Sequence, residues 1–145
     1  MSGGGVGPEP TDDEIRRILT GTRVWAVVGL GDNPDRPAYR VSRFLQSRGK
    51  RIVPVHPSAA TVHGEPGYAS LADIPFPVDV VDVFRRSADA GAVADEALAL
   101  PGVAAVWFQL GVIDEAAAQR VRAAGRVMVM DRCPAIEWPR LLGPL

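Results

Sequence analysis

The fold class is decided by the stretch Val24-Trp25-Ala26-Val27-Val28-Gly29-Leu30-Gly31-Asp32-Asn33-Pro34. Its five apolar residues predict a buried β-strand, and the two glycines directly after them allow the backbone to turn tightly. A helical pattern then begins at Pro37, so the stretch predicts a strand, a tight loop and the start of a helix. In α/β proteins such a loop turns the N–H groups of the helix N-terminus toward an anionic ligand.

The loop departs from the dinucleotide-binding pattern G-x-G-x-x-G in two ways. Gly29 and Gly31 occupy the first two glycine positions, but Pro34 stands at the third. The second predicted strand, over residues 51–55, is followed by His56-Pro57-Ser58 and not by an acidic residue that could bind the ribose of NAD. The loop therefore predicts a phosphate cradle for a nucleotide-like ligand other than NAD.

Strands and helices alternate along the rest of the chain. Apolar and β-branched runs predict strands at 24–28, 51–55, 78–84, 103–108 and 127–130. Helical periodicity and capping residues, among them Thr11, Ser87 and Asp114 as N-caps, predict helices at 11–19, 37–49, 88–100, 114–124 and 134–142. This alternation predicts a single α/β domain of three layers, in which a mostly parallel sheet is covered by helices on both faces.

The composition indicates one globular domain. The chain has 145 residues, 47% of them hydrophobic and 23% charged, which suits one domain with a substantial core. The net charge of −1 gives no general attraction to nucleic acid or to a membrane surface. The N-terminus lacks the apolar core of a secretory signal, and the single cysteine excludes an internal disulfide. We expect a cytoplasmic protein with a disordered leader at 1–10 and the domain at 11–145.

Candidate binding residues follow the strands, because ligands of open α/β sheets bind at the carboxyl ends of the strands. Backbone N–H groups and arginine side chains there could hold phosphate oxygens. After the first strand the candidates are Gly29, Gly31, Asn33, Pro34, Arg36 and Arg40. After the later strands they are Val55, His56, Pro57, Phe84, Arg85, Gln109 and Gly111.

No catalytic residue and no metal site is predicted. Asp79 and Asp82 are three apart on a predicted strand and should point to opposite faces, so they do not form an acid–base pair. Asp82 is expected instead to stabilise the turns near the site. His56 lacks a Ser, Cys or acidic partner at a recognisable spacing, and His56, His63 and Cys133 form no dense metal-ligand motif.

Several segments, in order, resemble the small stand-alone CoA-binding proteins, which are related to the CoA-binding domain of succinyl-CoA synthetase α subunits and acyl-CoA synthetases. The segments are 28–37, 53–57, 80–84, 106–111 and 131–134. The resemblance implies a Rossmann-like fold, cytoplasmic residence, and coenzyme A or an acyl-CoA as ligand. The synthetases carry their phosphorylatable histidine in a second domain, and His56 does not match it, so the ligase reaction does not carry over.

The expected function is therefore non-catalytic binding of coenzyme A or an acyl-CoA, as a sensor or carrier. The pyrophosphate and 3′-phosphate of CoA suit a loop with arginines and no acid at the ribose position. Two alternatives stay open: an NAD(P)-dependent oxidoreductase, and a regulatory subunit of an acyl-CoA-handling enzyme. The expected partner is a small nucleotide ligand and not nucleic acid or membrane, with a homodimer or an unidentified protein partner left open. Cys133 is expected to be a buried thiol, with a mixed disulfide to CoA as the alternative.

Overall fold

The computed structural model describes residues 9–143. Its five strands are β1 (Val24–Val28), β2 (Arg51–Val55), β3 (Val80–Val83), β4 (Ala105–Phe108) and β5 (Val127–Val129). Its five α-helices are α1 (Asp12–Gly21), α2 (Pro37–Ser47), α3 (Ser87–Leu98), α4 (Glu115–Ala123) and α5 (Pro134–Leu142), and a short 3₁₀ turn spans Leu71–Asp73. None of the described helices is long and apolar enough to cross a bilayer.

The strands form one sheet in the order β2-β1-β3-β4-β5. Every neighbouring pair is parallel. The chain steps outward from β1 to β2, then crosses back to β3 on the other side of β1. This reversal of strand order opens a crevice between β1 and β3 at the carboxyl end of the sheet. The predicted α/β class with helices on both faces is confirmed.

Two apolar cores lie on opposite faces of the sheet. Helices α3 and α4 cover one face, where small residues such as Ala94 and Ala118 allow close packing. Helices α1, α2 and α5 cover the other face, whose centre holds the fully buried rings of Trp25 and Trp107. These rings lie 5.6 Å apart, and the Trp107 indole N–H donates to the carbonyl of Arg132 at 2.8 Å. That hydrogen bond fixes the segment between β5 and α5, which borders the crevice.

The helix N-caps follow the sequence prediction at two of three positions. Thr11 and Glu14 form a reciprocal capping box on α1, and the Asp114 carboxylate accepts from the backbone of α4. The prediction for Ser87 is wrong, because the N-cap residue of α3 is Arg86, whose side chain makes no capping hydrogen bond. The Ser87 hydroxyl instead accepts from the N–H of Ile113 at 2.9 Å and donates to the next loop. It therefore ties the loop after β3 to the loop after β4.

The two aspartates near β3 also differ from expectation. Asp79 lies just before the strand, where its carboxylate accepts the N–H groups of Arg23 at 2.9 Å and Val24 at 2.8 Å. Asp82 does not stabilise turns, because both of its carboxyl oxygens are buried and have no hydrogen-bond partner within residues 9–143. Its neighbours across the sheet are Val27 and Trp107, so it sits in an apolar core.

Of the predicted leader, residues 1–8 lie outside the described part of the chain. Glu9 and Pro10 are described, and the Glu9 carboxylate lies 3.4 Å from the Arg132 guanidinium. These two residues therefore contact the domain on the side of the loop that follows β5.

Candidate functional site

A crevice of about 940 Å³ lies over the carboxyl ends of the strands. Loops that follow all five strands contribute to its walls, with α2 on one side and the start of α5 at one end. The crevice contains the strand-order reversal between β1 and β3, where open α/β sheets bind ligands. Its size falls within the usual range of small-molecule sites.

The loop after β1 needs glycine at its first position. Gly29 has a φ of +103°, and a Cβ there would collide with the Phe84 carbonyl oxygen and lie 3.1 Å from the Phe84 Cβ. The N–H of Gly29 donates to the carbonyl of Val55 at 2.8 Å. The loop is thus held between the ends of β2 and β3, and only a residue without a side chain fits there.

Consecutive N–H groups in this loop have no partner in the described part of the protein. They belong to Gly31, Asp32 and Asn33, and no backbone or side-chain acceptor meets them. The side-chain oxygen of Asn33 accepts the backbone N–H of Asp35 at 3.0 Å. The backbone carbonyl of Asn33 accepts the N–H of Arg36 at 3.2 Å. The turn is therefore stabilised by Asn33 while three donors stay available to an anion.

Three helix N-termini around the crevice lack a side-chain cap. The N-cap residues are Arg36 for α2, Arg86 for α3 and Cys133 for α5, and each lines the crevice without capping its helix. Both capped helices, α1 and α4, begin at other places. The uncapped ends present N–H groups and the positive ends of three helix dipoles to the crevice.

The charge of the crevice is strongly positive. Four arginines and one carboxylate, that of Asp32, line it. The guanidinium of Arg86 pairs with Asp89 at 3.0 Å, whereas the other three arginines form no ion pair within residues 9–143. The three are Arg36, Arg40 and Arg85. This balance favours a ligand that carries several negative charges.

His56 is arranged as a hydrogen-bond donor toward the crevice. Its Nδ1 accepts the backbone N–H of Ser58 at 3.1 Å, and the Ser58 hydroxyl lies 2.9 Å from the same atom. Because an N–H can only donate, the neutral ring carries its proton on Nε2. A Cβ built on Gly31 would lie 3.2 Å from Cδ2 and 3.4 Å from Nε2 of this ring, so the ring lies beside the loop that holds the free N–H groups. A ring in this tautomer donates to a bound oxyanion.

Gln109 brings a second unused polar group to the crevice. The residue lines the crevice and is only 6% exposed, and its backbone N–H donates to Val83 at 3.2 Å. Its side-chain oxygen is buried and has no hydrogen-bond partner in the described structure. A buried amide without a partner costs free energy, which a polar ligand group would recover.

The structure brings most of the predicted site residues together. The crevice is lined by Gly29, Gly31, Asn33, Arg36, Arg40, His56, Phe84, Arg85 and Gln109. The other four, Pro34, Val55, Pro57 and Gly111, are not among its lining residues. Val55 is buried in the core, and the N–H of Gly111 donates to the Asp131 carboxylate at 2.7 Å, so both have structural roles.

The sequence prediction omitted much of the apolar wall. The lining residues outside the predicted set are Asp32, Pro37, Ala38, Val41, Ser58, Arg86, Leu110, Val112, Cys133 and Ile136. Helical spacing from Pro37 could have found Val41, which lies four residues further along α2 on the same face. Leu110 and Ile136 gave a weaker signal, since nothing local marks an apolar residue after a strand as part of a site.

The parallel sheet and its crevice at the strand-order reversal define a Rossmann-like α/β domain. Residues 23–139 match the family model described as a CoA binding domain, CoA_binding_2, and the chain belongs to that family.

Similar proteins cover nearly the whole chain. The uncharacterized protein YneT of Bacillus subtilis (strain 168) is 40% identical over 124 residues, which are 86% of this chain and 91% of YneT. The crystal structure of Prb, a PH1109 protein redesigned for binding, is 37% identical and superimposes with a TM-score of 0.88, covering 94% of this chain and 95% of Prb. The structure of cell-free ID.343 from Thermus thermophilus is 36% identical with a TM-score of 0.84, covering 91% and 99%.

Proposed function

We propose that this protein binds coenzyme A or an acyl-CoA in the crevice without carrying out chemistry on it. The observation that carries the proposal is the set of unused donors around one basic crevice. Three uncapped helix N-termini and three free N–H groups converge where arginines outnumber carboxylates four to one. Membership of the CoA binding domain family supports CoA as the polyanion.

The pyrophosphate fits the N-terminus of α2. The N–H groups of Gly31, Asp32 and Asn33 would donate to its oxygens, with Nε2–H of His56 beside them. Arg36 is the N-cap residue of the same helix, so its guanidinium is close enough to add a charge-assisted hydrogen bond. No acid follows β2 at the position that would bind a free ribose hydroxyl, which suits the phosphorylated ribose of CoA better than the ribose of NAD.

The proposal that the protein binds its ligand without catalysis is supported by the titratable groups that reach the crevice. The Nδ1 of His56 accepts the backbone N–H of Ser58, and Asp32 supplies the one carboxylate among the described residues that line the crevice. The carboxyl of Asp82 is sealed in the core, and burial raises its pKa well above the ordinary value. The Ser58 hydroxyl lies 2.9 Å from His56 Nδ1, but that nitrogen already accepts the Ser58 N–H, and no carboxylate within residues 9–143 bonds the ring to orient it as a base. Cytoplasmic residence, and a homodimer or protein partner, stay predictions.

Thermal unfolding with CoA, acetyl-CoA, NAD and NADP side by side tests the proposal. CoA at one hundred times its Kd should add about 2.7 kcal/mol to the free energy of unfolding, which raises Tm by about 5–10 °C. Arg36→Gln should weaken CoA binding by about tenfold or more, because a charge-assisted hydrogen bond is lost. Arg43→Gln is the matched control, since Arg43 is exposed on the same helix and does not line the crevice. A shift with NADP alone, or equal effects of the two substitutions, overturns the proposal.

A further inference from the structure

Exposed apolar side chains gather at one end of the crevice. Leu110, Ile113 and Ile136 are 55%, 48% and 52% exposed, and they are three of the four exposed large apolar residues in the described chain. All three line a second cavity of about 560 Å³. Leu110, Cys133 and Ile136 belong to the walls of both cavities, so the second one continues the crevice past β5.

The charged side chains of the crevice are confined to one half of it. Beside β1, β2 and β3 its walls carry the arginines, His56 and Ser58, whereas beside β4 and β5 they carry Leu110, Val112 and Ile136. If the phosphates of CoA bind in the first half, the pantetheine arm can extend toward the second. The unpartnered amide of Gln109 follows β4 on that route, where it can bond an amide of the arm. In that orientation the sulfur end of CoA would lie at the second cavity.

The charges of the second cavity are opposite to those of the crevice. Its arginines are Arg122 and Arg132, and its carboxylates are those of Glu9, Glu115, Asp131 and Glu137. Arg132 is already paired with Glu9 at 3.4 Å and with Glu137 at 3.2 Å. Carboxylates therefore outnumber arginines by four to two, which disfavours a ligand group that carries its own carboxylate.

We propose that the second cavity is an acyl subsite, and that the protein prefers thioesters of CoA with uncharged, apolar acyl groups over free CoA. This proposal rests on the proposed function of the crevice. The acyl group would cover the exposed side chains of Leu110, Ile113 and Ile136, which otherwise face water. A carboxylated acyl group, such as malonyl or succinyl, is disfavoured by the surrounding carboxylates.

Calorimetric titration of the full chain with CoA, acetyl-CoA, butyryl-CoA and malonyl-CoA tests the subsite. Each buried methylene should tighten binding by about fourfold, so the two added methylenes make butyryl-CoA about fifteenfold tighter than acetyl-CoA. Malonyl-CoA should bind more weakly than acetyl-CoA, by about threefold or more, because of like-charge repulsion. Equal affinities for the three thioesters, or tightest binding of malonyl-CoA, overturn the acyl subsite. If CoA and every thioester fail to bind, the proposed function of the crevice fails with it.

Two substitutions separate the subsite from a general surface effect. Ile113 lines the second cavity and not the crevice, so Ile113→Ser should reduce the butyryl-to-acetyl preference at least threefold. Leu142 is the fourth exposed large apolar residue and lines neither cavity, so Leu142→Ser should leave the preference unchanged. A preference that survives Ile113→Ser, or that both substitutions lower equally, places the acyl group elsewhere and overturns the assignment.

Discussion

The free energy of unfolding should fall as pH rises because of Asp82, and Asp82→Asn should remove that fall. Burial raises the pKa of the Asp82 carboxyl well above its ordinary value of 3.8, and neither oxygen has a hydrogen-bond partner in the described structure. Between the unfolded and native pKa values, the native state keeps a proton that the unfolded state has released. The stabilisation by the neutral acid is therefore complete below the unfolded pKa and is lost as pH rises toward the native one.

The size of this effect follows from linkage. Each pH unit between the two pKa values costs about 1.4 kcal/mol, so two units cost about 2.7 kcal/mol. Urea unfolding followed by tryptophan fluorescence from about pH 5 to pH 8 measures it, with wild type and Asp82→Asn compared at each pH. The difference between the two proteins should change steadily with pH.

A neighbouring substitution supplies the control. Val80 lies on the same face of β3 and is buried in the same apolar core, so Val80→Ala should lower the free energy of unfolding by about 2 kcal/mol at every pH. If wild type and Asp82→Asn differ by a constant amount across the range, Asp82 does not hold its proton and the reasoning is refuted.

Three further predictions follow from single positions. Gly29→Ala should lower the free energy of unfolding by about 3–4 kcal/mol in urea, since it adds a collision with Phe84 to an unfavourable φ. Gly49→Ala is the control: its φ is +88° but the space around it is open, so it should cost about 1–2 kcal/mol. Equal losses for the two variants would contradict the collision. Glu137→Gln should cost about 2 kcal/mol by urea unfolding, because its buried carboxylate pairs with two arginines; an unchanged midpoint would contradict this. Alkylation of Cys133 by a maleimide should slow at least tenfold when CoA saturates the crevice it lines, and an unchanged rate would separate the thiol from the ligand.

Most of the fold could be predicted because its determinants are local. The apolar runs of β1 and β2 and the proline-initiated helix α5 have the bounds that the sequence indicates. β3 and β4 are shorter than predicted, since an apolar run does not reveal where the partner strand ends. Ser87 was misassigned as an N-cap because its true partners lie 24 and 26 residues further along the chain.

The candidate site likewise combines features that the sequence reveals with features that only the fold reveals. The glycines and arginines after β1 are recognisable from their order, because the loop and the helix that follow are contiguous in the chain. The unpartnered amide of Gln109 and the apolar wall of Leu110 and Ile136 depend on which loops meet across the sheet. No spacing in the sequence carries that information, so these features emerge only from the assembled fold.

The two glycines of the β1 loop separate a ligand site from a mere tight turn. Gly29 is required by the fold, since a side chain there meets the backbone of Phe84. Gly31 is not, because the atoms nearest to a Cβ there belong to the His56 ring, at 3.2 Å and beyond, and not to the backbone. A side chain at Gly31 would occupy space beside the His56 ring, at the loop that carries the free N–H groups. A side-chain N-cap stabilises a helix by about 1 kcal/mol, and the three helices that begin at the crevice lack one. Both capped helices begin away from the crevice. Vacant donors and missing caps coincide at one place, and an anion bound there would satisfy both.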